Sequence, residues 1–209
     1  MRRIGIAERV RIHARSIWFH KVVAPRYYSK IRPGDIVIDC GAHIGDITQC
    51  FFDRGAIVHA FEPHPEAFAR LSSRFANEPK VHCYNQAVSK EAGRLKLYLA
   101  PDDDSMGAVQ ASSLMAEKDN VSTDRFVEVE VIRLTDFLTG LGHVRFLKMD
   151  IEGAEYDVLP DMIDAGVHKN VDFIVVETHE RSMGLKPKHA ALQAKIAKNR
   201  ISNIDLNWL

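Results

Sequence analysis

The chain has 209 residues, 46% of them hydrophobic, enough for one domain with a full core and ordinary for a globular protein. With 28 basic against 28 acidic residues the formal net charge is zero, so whole-chain charge gives no argument for a nucleic-acid or membrane partner. Three cysteines (Cys40, Cys50, Cys83) without C-x-x-C spacing argue against a disulfide framework or zinc site. No apolar run reaches the ~18 residues of a membrane span or the core of a signal peptide, so a cytoplasmic location is expected.

In chain order, Ile6, Val10, Ala14 and Ile17 recur at helical spacing and predict an amphipathic helix over roughly residues 5–19. Residues 1–33 hold nine Lys/Arg against the single acid Glu8. This reads as a solvated helix face, with a basic arm for RNA or an anionic surface as the sharper alternative. Together with a short helix carrying Tyr27 and Tyr28, residues 1–33 are expected to form a helical extension, and 34–209 the main domain. After the turn Arg32-Pro33-Gly34-Asp35, strands and helices alternate: strand 36–39, helix 44–54, strand 58–62, helix 65–76 and strand 81–88. Residues 95–99 and 126–132 alternate apolar with polar, which predicts an inserted antiparallel pair. The segment between them, 101–125, is rich in Asp, Ser and Gly and reads as a lid or surface loop. A helix over 135–141, a strand over 144–150, a helix from Gly153 ended or kinked at Pro160, a strand over 173–178, a helix over 187–198 and at most one further strand complete the chain. The fold class expected is α/β and doubly wound, with a mostly parallel sheet.

Several stretches carry chemistry. Val37-Ile38-Asp39-Cys40-Gly41-Ala42-His43-Ile44-Gly45 is a β-branched strand that ends in a carboxylate and turns on glycine into a helix, the opening of a ligand crevice. Its D-x-G-x-x-x-G spacing lacks the extra glycine of a dinucleotide turn, and an acid beside an open turn suits S-adenosylmethionine better than NAD. Glu62 follows about twenty residues beyond the turn, where such sites place an acid for ribose hydroxyls, and Pro63 and Pro65 stiffen the chain after it. Asn85-Gln86-Ala87-Val88 is expected to finish a strand on the same rim, where Gln86 and Ala87 would meet the adenine. Asp150, Glu152, Glu177 and His179 follow two further strands and could converge on one pocket. His179 is the candidate base for an acceptor hydroxyl; the same group could alternatively hold Mg²⁺, although nothing in the spacing demands a metal.

These residues resemble FkbM-type S-adenosylmethionine-dependent methyltransferases. Ile38 to Gly45, Phe61-Glu62-Pro63-His64-Pro65, Asn85 to Val88, Ser113-Leu114, Leu134-Thr135-Asp136, Lys148-Met149-Asp150-Ile151-Glu152-Gly153-Ala154-Glu155 and Val176-Glu177-Thr178-His179 occur in the family's order. The resemblance implies a Rossmann-like class I methyltransferase fold and O-methylation of a sugar or other hydroxylated metabolite. The expected donor site is Asp39, Gly41, Ala42, His43, Gly45, Glu62, Pro63, Gln86 and Ala87; Asp150, Glu152 and His179 are expected to face the acceptor. The chain departs from the family at His43, where Asn is usual, and at Pro160-Asp161, where a Gly-Ala pair is usual; its final antiparallel strands are expected to be incomplete. Competing expectations are a nucleic-acid methyltransferase that uses the basic arm, and an S-adenosylmethionine-binding protein without catalysis.

Overall fold

A computed structural model describes residues 24–98, 126–179 and 184–208. The amphipathic helix expected over 5–19, most of the basic arm and the segment 101–125 lie outside these residues. The described elements are α1 (Ala24–Tyr28), β1 (Ile36–Cys40), α2 (Asp46–Phe52), β2 (Ile57–Phe61), α3 (Pro65–Arg74), β3 (Val81–Tyr84), β4 (Gln86–Ser89), β5 (Gly93–Tyr98), β6 (Phe126–Arg133), α4 (Leu134–Leu141), β7 (Val144–Met149), α5 (Glu155–Asp164), a 3₁₀ turn (Val167–Asn170), β8 (Val171–Val176), α6 (Leu185–Lys198) and β9 (Ile204–Asp205).

Six strands form a sheet in the order β3-β2-β1-β7-β8-β9, parallel at every pairing. Its strands read as continuous apolar runs because both faces are covered. In β1, Val37 points into one core layer with Phe51, Leu71, Phe75, Phe146 and Trp208, while Ile38 points into the other with Leu138, Leu147, Met149 and Leu159. Chain order reverses between β1 and β7: β2 and β3 lie to one side of β1, β7 to β9 to the other. In such sheets the crevice for a ligand opens at this switch point, beyond the carboxyl ends of the strands.

The structure differs from the sequence reading in two places. The run 81–88 is two strands, not one: β3 ends at Tyr84 in the large sheet, and after Asn85 the chain enters a second sheet of order β4-β6-β5. The expected antiparallel pair is present as β5 and β6, and β4 joins it parallel to β6 over a small cluster of Ala87, Leu97, Val129 and Val131. Pro160 does not end its helix; α5 runs on to Asp164. The missing donor costs roughly 3 kcal/mol, but Tyr156, Val158, Leu159, Met162 and Ile163 are all buried along α5, each contributing about 1.5–3 kcal/mol. Arg133 Nη2 and Thr135 Oγ1 also donate to the Asp161 carboxylate at 2.7 and 2.6 Å, tying the helix to the start of α4. No helix among the described residues is long and apolar enough to cross a membrane.

Candidate active site

The carboxyl ends of β1, β2 and β7 are laced together by backbone bonds. Gly41 and Ala42 donate to the Phe61 carbonyl at 3.0 and 2.9 Å, and Asp150 N–H donates to the Cys40 carbonyl at 3.1 Å. Gly41 (φ +78°) turns the chain out of β1 where a Cβ would stand 1.8 Å from the Asp150 carbonyl oxygen, so no other residue fits. Gly45 (φ +89°) precedes α2 where a Cβ would meet Phe75 and Leu71 at 2.6 and 2.8 Å. Both glycines are therefore demanded by the fold itself. His43 takes a left-handed conformation at φ +51°, which His and Asn tolerate better than most side chains.

Glu62 extends β2 beside this turn. Its Oε2 accepts the His43 N–H and its Oε1 accepts the His64 N–H, both at 2.8 Å, which clamps the buried carboxylate at the mouth of the crevice. Burial pushes its carboxyl up to about 7 against the opposing pull of those two N–H groups. Each oxygen keeps a second lone pair for an incoming hydroxyl. Asn85 holds the segment from behind, its amide donating to the Glu62 and Pro63 carbonyls at 2.9 and 3.1 Å. The ring atoms His43 Nε2, in the turn after β1, and His64 Nδ1, in the turn after β2, are buried without a hydrogen-bond partner among the described residues, and burial lowers the pKa of both rings. Gln86 and Ala87 belong to the second sheet: Gln86 Nε2 reaches Glu130 at 3.4 Å, and Ala87 is packed in the small apolar cluster.

Asp39 is fully buried. Its Oδ2 accepts the Thr48 hydroxyl at 2.7 Å and its Oδ1 faces Lys148 Nζ at 3.4 Å. Lys148, also buried, donates to the Gly41 carbonyl at 2.8 Å and pairs with Asp150 Oδ2 at 3.4 Å. Burial works against its charge, but the carboxylates of Asp150 and Asp39 outweigh it and hold the ammonium well above its usual range. This lysine bridges the turn after β1 to the exit of β7.

On the far side of Lys148, Asp150, Glu152 and His179 do converge. His179 Nε2 stands 3.3 Å from Glu152 Oε2 and 3.9 Å from Asp150 Oδ1, and one donor atom from each residue lies within 4.8 Å of the others, a set that could ligate a divalent cation. Glu152 is held at φ +57°. The other ring nitrogen, Nδ1, bonds Glu155 at 2.9 Å. Burial, and then the Asp150 charge, raises the Glu177 carboxyl well above the usual carboxylate range. Asp150, Glu152 and His179 thus come together as expected, with Lys148 and Glu155 bonded to them, while Asn85 and Thr48 support Glu62 and Asp39; the partners of all four are set by tertiary contact, which spacing does not show.

The domain is doubly wound, with buried acids at the switch point of its sheet and a second polar cluster beside them. Residues 39–199 match the methyltransferase FkbM domain, and the chain belongs to that family. It is 28% identical over 183 residues to a 31-O-demethyl-FK506 methyltransferase of Streptomyces tacrolimicus, covering 74% of this chain and 69% of that protein. It is 30% identical over 158 residues to a hexuronic acid methyltransferase of Haloferax volcanii, covering 74% of this chain and 59% of the relative. Among solved structures, a precorrin 8w decarboxylase of Methanobacterium thermoautotrophicum is similar over 81% of this chain and 65% of its own, with 13% identity and a TM-score of 0.42.

Proposed function

We propose that this chain transfers a methyl group from S-adenosylmethionine to a hydroxyl of a small or saccharide acceptor. The observation that carries this reading is the clamp on Glu62: two backbone N–H groups fix its carboxylate beside the glycine turn with lone pairs to spare for a ribose diol. The unpartnered His43 Nε2 and His64 Nδ1, on the turns after β1 and β2, fit a ligand with polar edges. When bound, the donor supplies an electrophilic methyl on a sulfonium. Asp39, Gly41, Ala42, His43, Gly45, Glu62 and Pro63 would hold it, with Gln86 and Ala87 at the start of β4 on its adenine side.

The chain's own task is alignment, which can supply most of the acceleration for an in-line displacement. Asp150, Glu152 and His179 would face the acceptor, and His179 Nε2 would take its proton. The two relatives' names, one a 31-O-demethyl compound and one a hexuronic acid, support an oxygen acceptor. Calorimetry with S-adenosylmethionine, then transfer assays on sugars, hydroxylated small molecules and RNA, test the reading. Binding with transfer to a hydroxyl supports it; preference for NAD, or binding without turnover on any acceptor, rejects it.

A further inference from the structure

Asp39 and Lys148 are register partners across the parallel pair β1–β7, so their side chains leave the same face of the sheet side by side. Each stands one residue before the end of its strand, next to the crevice. Lys148 is 3% exposed and Asp39 not at all. Four oxygens surround the Lys148 ammonium: the Gly41 carbonyl at 2.8 Å, and the Cys40 carbonyl, Asp39 Oδ1 and Asp150 Oδ2, each at 3.4 Å. An ammonium has three N–H donors, so these acceptors cannot each take a hydrogen of their own. The one left short is Asp39 Oδ1, which is buried without a hydrogen-bond partner among the described residues.

The four oxygens serve different parts of the site. Gly41 forms the turn of the proposed donor crevice, whereas Asp150 keeps 24% of its side chain in solvent and belongs to the cluster with Glu152 and His179. The backbone joint between these parts is fixed, since the Asp150 N–H donates to the Cys40 carbonyl at 3.1 Å. What can change is how Lys148 divides its hydrogens. A ligand that carries an ammonium group competes for the Gly41 carbonyl, and a hydrogen released there turns to Asp39 Oδ1 or Asp150 Oδ2. The exchange is favourable, because a bond moved from a neutral carbonyl to a carboxylate becomes the stronger, fully charge-assisted kind.

We infer that Lys148 is a positioning residue that couples the two halves of the site: filling the donor crevice tightens the Lys148–Asp150 pair and orders the acceptor cluster before an acceptor arrives. By reciprocity, a bound acceptor strengthens donor binding by the same factor. The inference rests on the proposed donor reading.

The test uses the full chain and S-adenosylhomocysteine, with calorimetry to establish that the crevice is filled. The reporters on the acceptor side are the amides of Gly153, Ala154 and His179, which donate to Glu155 Oε2 at 2.8 Å, the Ile151 carbonyl at 3.3 Å and Glu155 Oε1 at 3.3 Å. In the wild type, saturating S-adenosylhomocysteine should slow hydrogen exchange at these amides roughly fivefold or more. It should also shift the ¹⁵N resonance of Lys148 Nζ. Lys148→Gln keeps an N–H donor for the Gly41 carbonyl and removes the charge. In this variant the ligand should still slow exchange at Gly41 to Gly45 but leave the three reporters within about twofold of their ligand-free rates. A merely structural role would change exchange with and without ligand alike and would not move that difference. Reporters and an Nζ resonance that stay unmoved in the ligand-filled wild type overturn the inference without any variant. So does a Lys148→Gln chain whose reporters respond as in the wild type. A wild type that fails to bind S-adenosylhomocysteine sinks the methyl-transfer reading and this inference with it, a result that calorimetry shows on its own.

Discussion

At the scale of single residues, the site is built from charges that the fold would be more stable without. Glu62 has its carboxyl raised from 4.5 to about 7, burial being the largest cause. Between those values the folded state binds more protons than the unfolded state, so the contribution of Glu62 to stability falls as pH rises through this window, by an amount of order 3 kcal/mol. On the proposed reading donor binding should have the opposite dependence, because a ribose diol would donate to the ionised carboxylate. The affinity for S-adenosylmethionine should therefore strengthen between pH 6 and 8, approaching tenfold per unit below the midpoint, and calorimetry at three pH values measures it. Glu62→Gln should flatten that profile, weaken binding at pH 8, and be more stable than the wild type at pH 8 but not at pH 4.5. Equal donor affinity in the variant would remove Glu62 from the site. Lys148 is the complementary case, a buried cation between Asp39 and Asp150. Lys148→Met leaves two carboxylates without their cation and should cost about 3–5 kcal/mol in urea unfolding.

At the scale of elements, what could be read from the chain was what is local to a strand and its following turn. Asp39, Gly41 and Glu62 stand out because strand, glycine and acid lie within a few residues of one another along each βα unit. The Glu155–His179 bond joins residues 24 apart and depends on β7 and β8 lying side by side, a neighbourhood that no spacing rule supplies. The departure of the chain at Asn85 was hidden for a similar reason. The run 81–88 has the composition of one strand, and only the side chain of Asn85, bonded to the Glu62 and Pro63 carbonyls, marks the place where it changes sheets. Pro160 lies inside α5 rather than at its end because the helix is held by its buried face rather than by each successive hydrogen bond. The junction of β1 and β7 offers an element-scale prediction. Gly41→Ala puts a methyl group against the Asp150 carbonyl at a positive φ, so the two strand ends must separate. The variant should lose more than ~1 kcal/mol of stability, and its donor affinity should fall with it; unchanged denaturant midpoint and affinity would show that the rim accommodates the methyl.

At the scale of the molecule, the sheet is closed by a segment that contributes little regular structure. β9 pairs with β8 through only two residues, yet the chain beyond it carries Trp208, 1% exposed, into the core layer that holds β1 and β2. Its ring lies 5.4 Å from Tyr27, 6.0 Å from Tyr28 and 6.4 Å from Phe146, and the backbone N–H of Trp208 donates to the Val176 carbonyl at 3.2 Å. Tyr27 in turn donates to Asp205 at 2.6 Å. Trp208 thereby joins α1, β7 and the end of β8, the strand that leads directly to Glu177 and His179. Trp208→Ala removes a large side chain from a site lined by aromatic rings that cannot collapse far, which should cost about 3–5 kcal/mol, a large share of the 5–15 kcal/mol typical of a domain. Unfolding followed by circular dichroism should show the lower midpoint as a single transition if α1, the sheet and this segment form one cooperative unit. A separate early transition, with the remaining signal melting at the wild-type midpoint, would show instead that the segment docks on a core already stable without it.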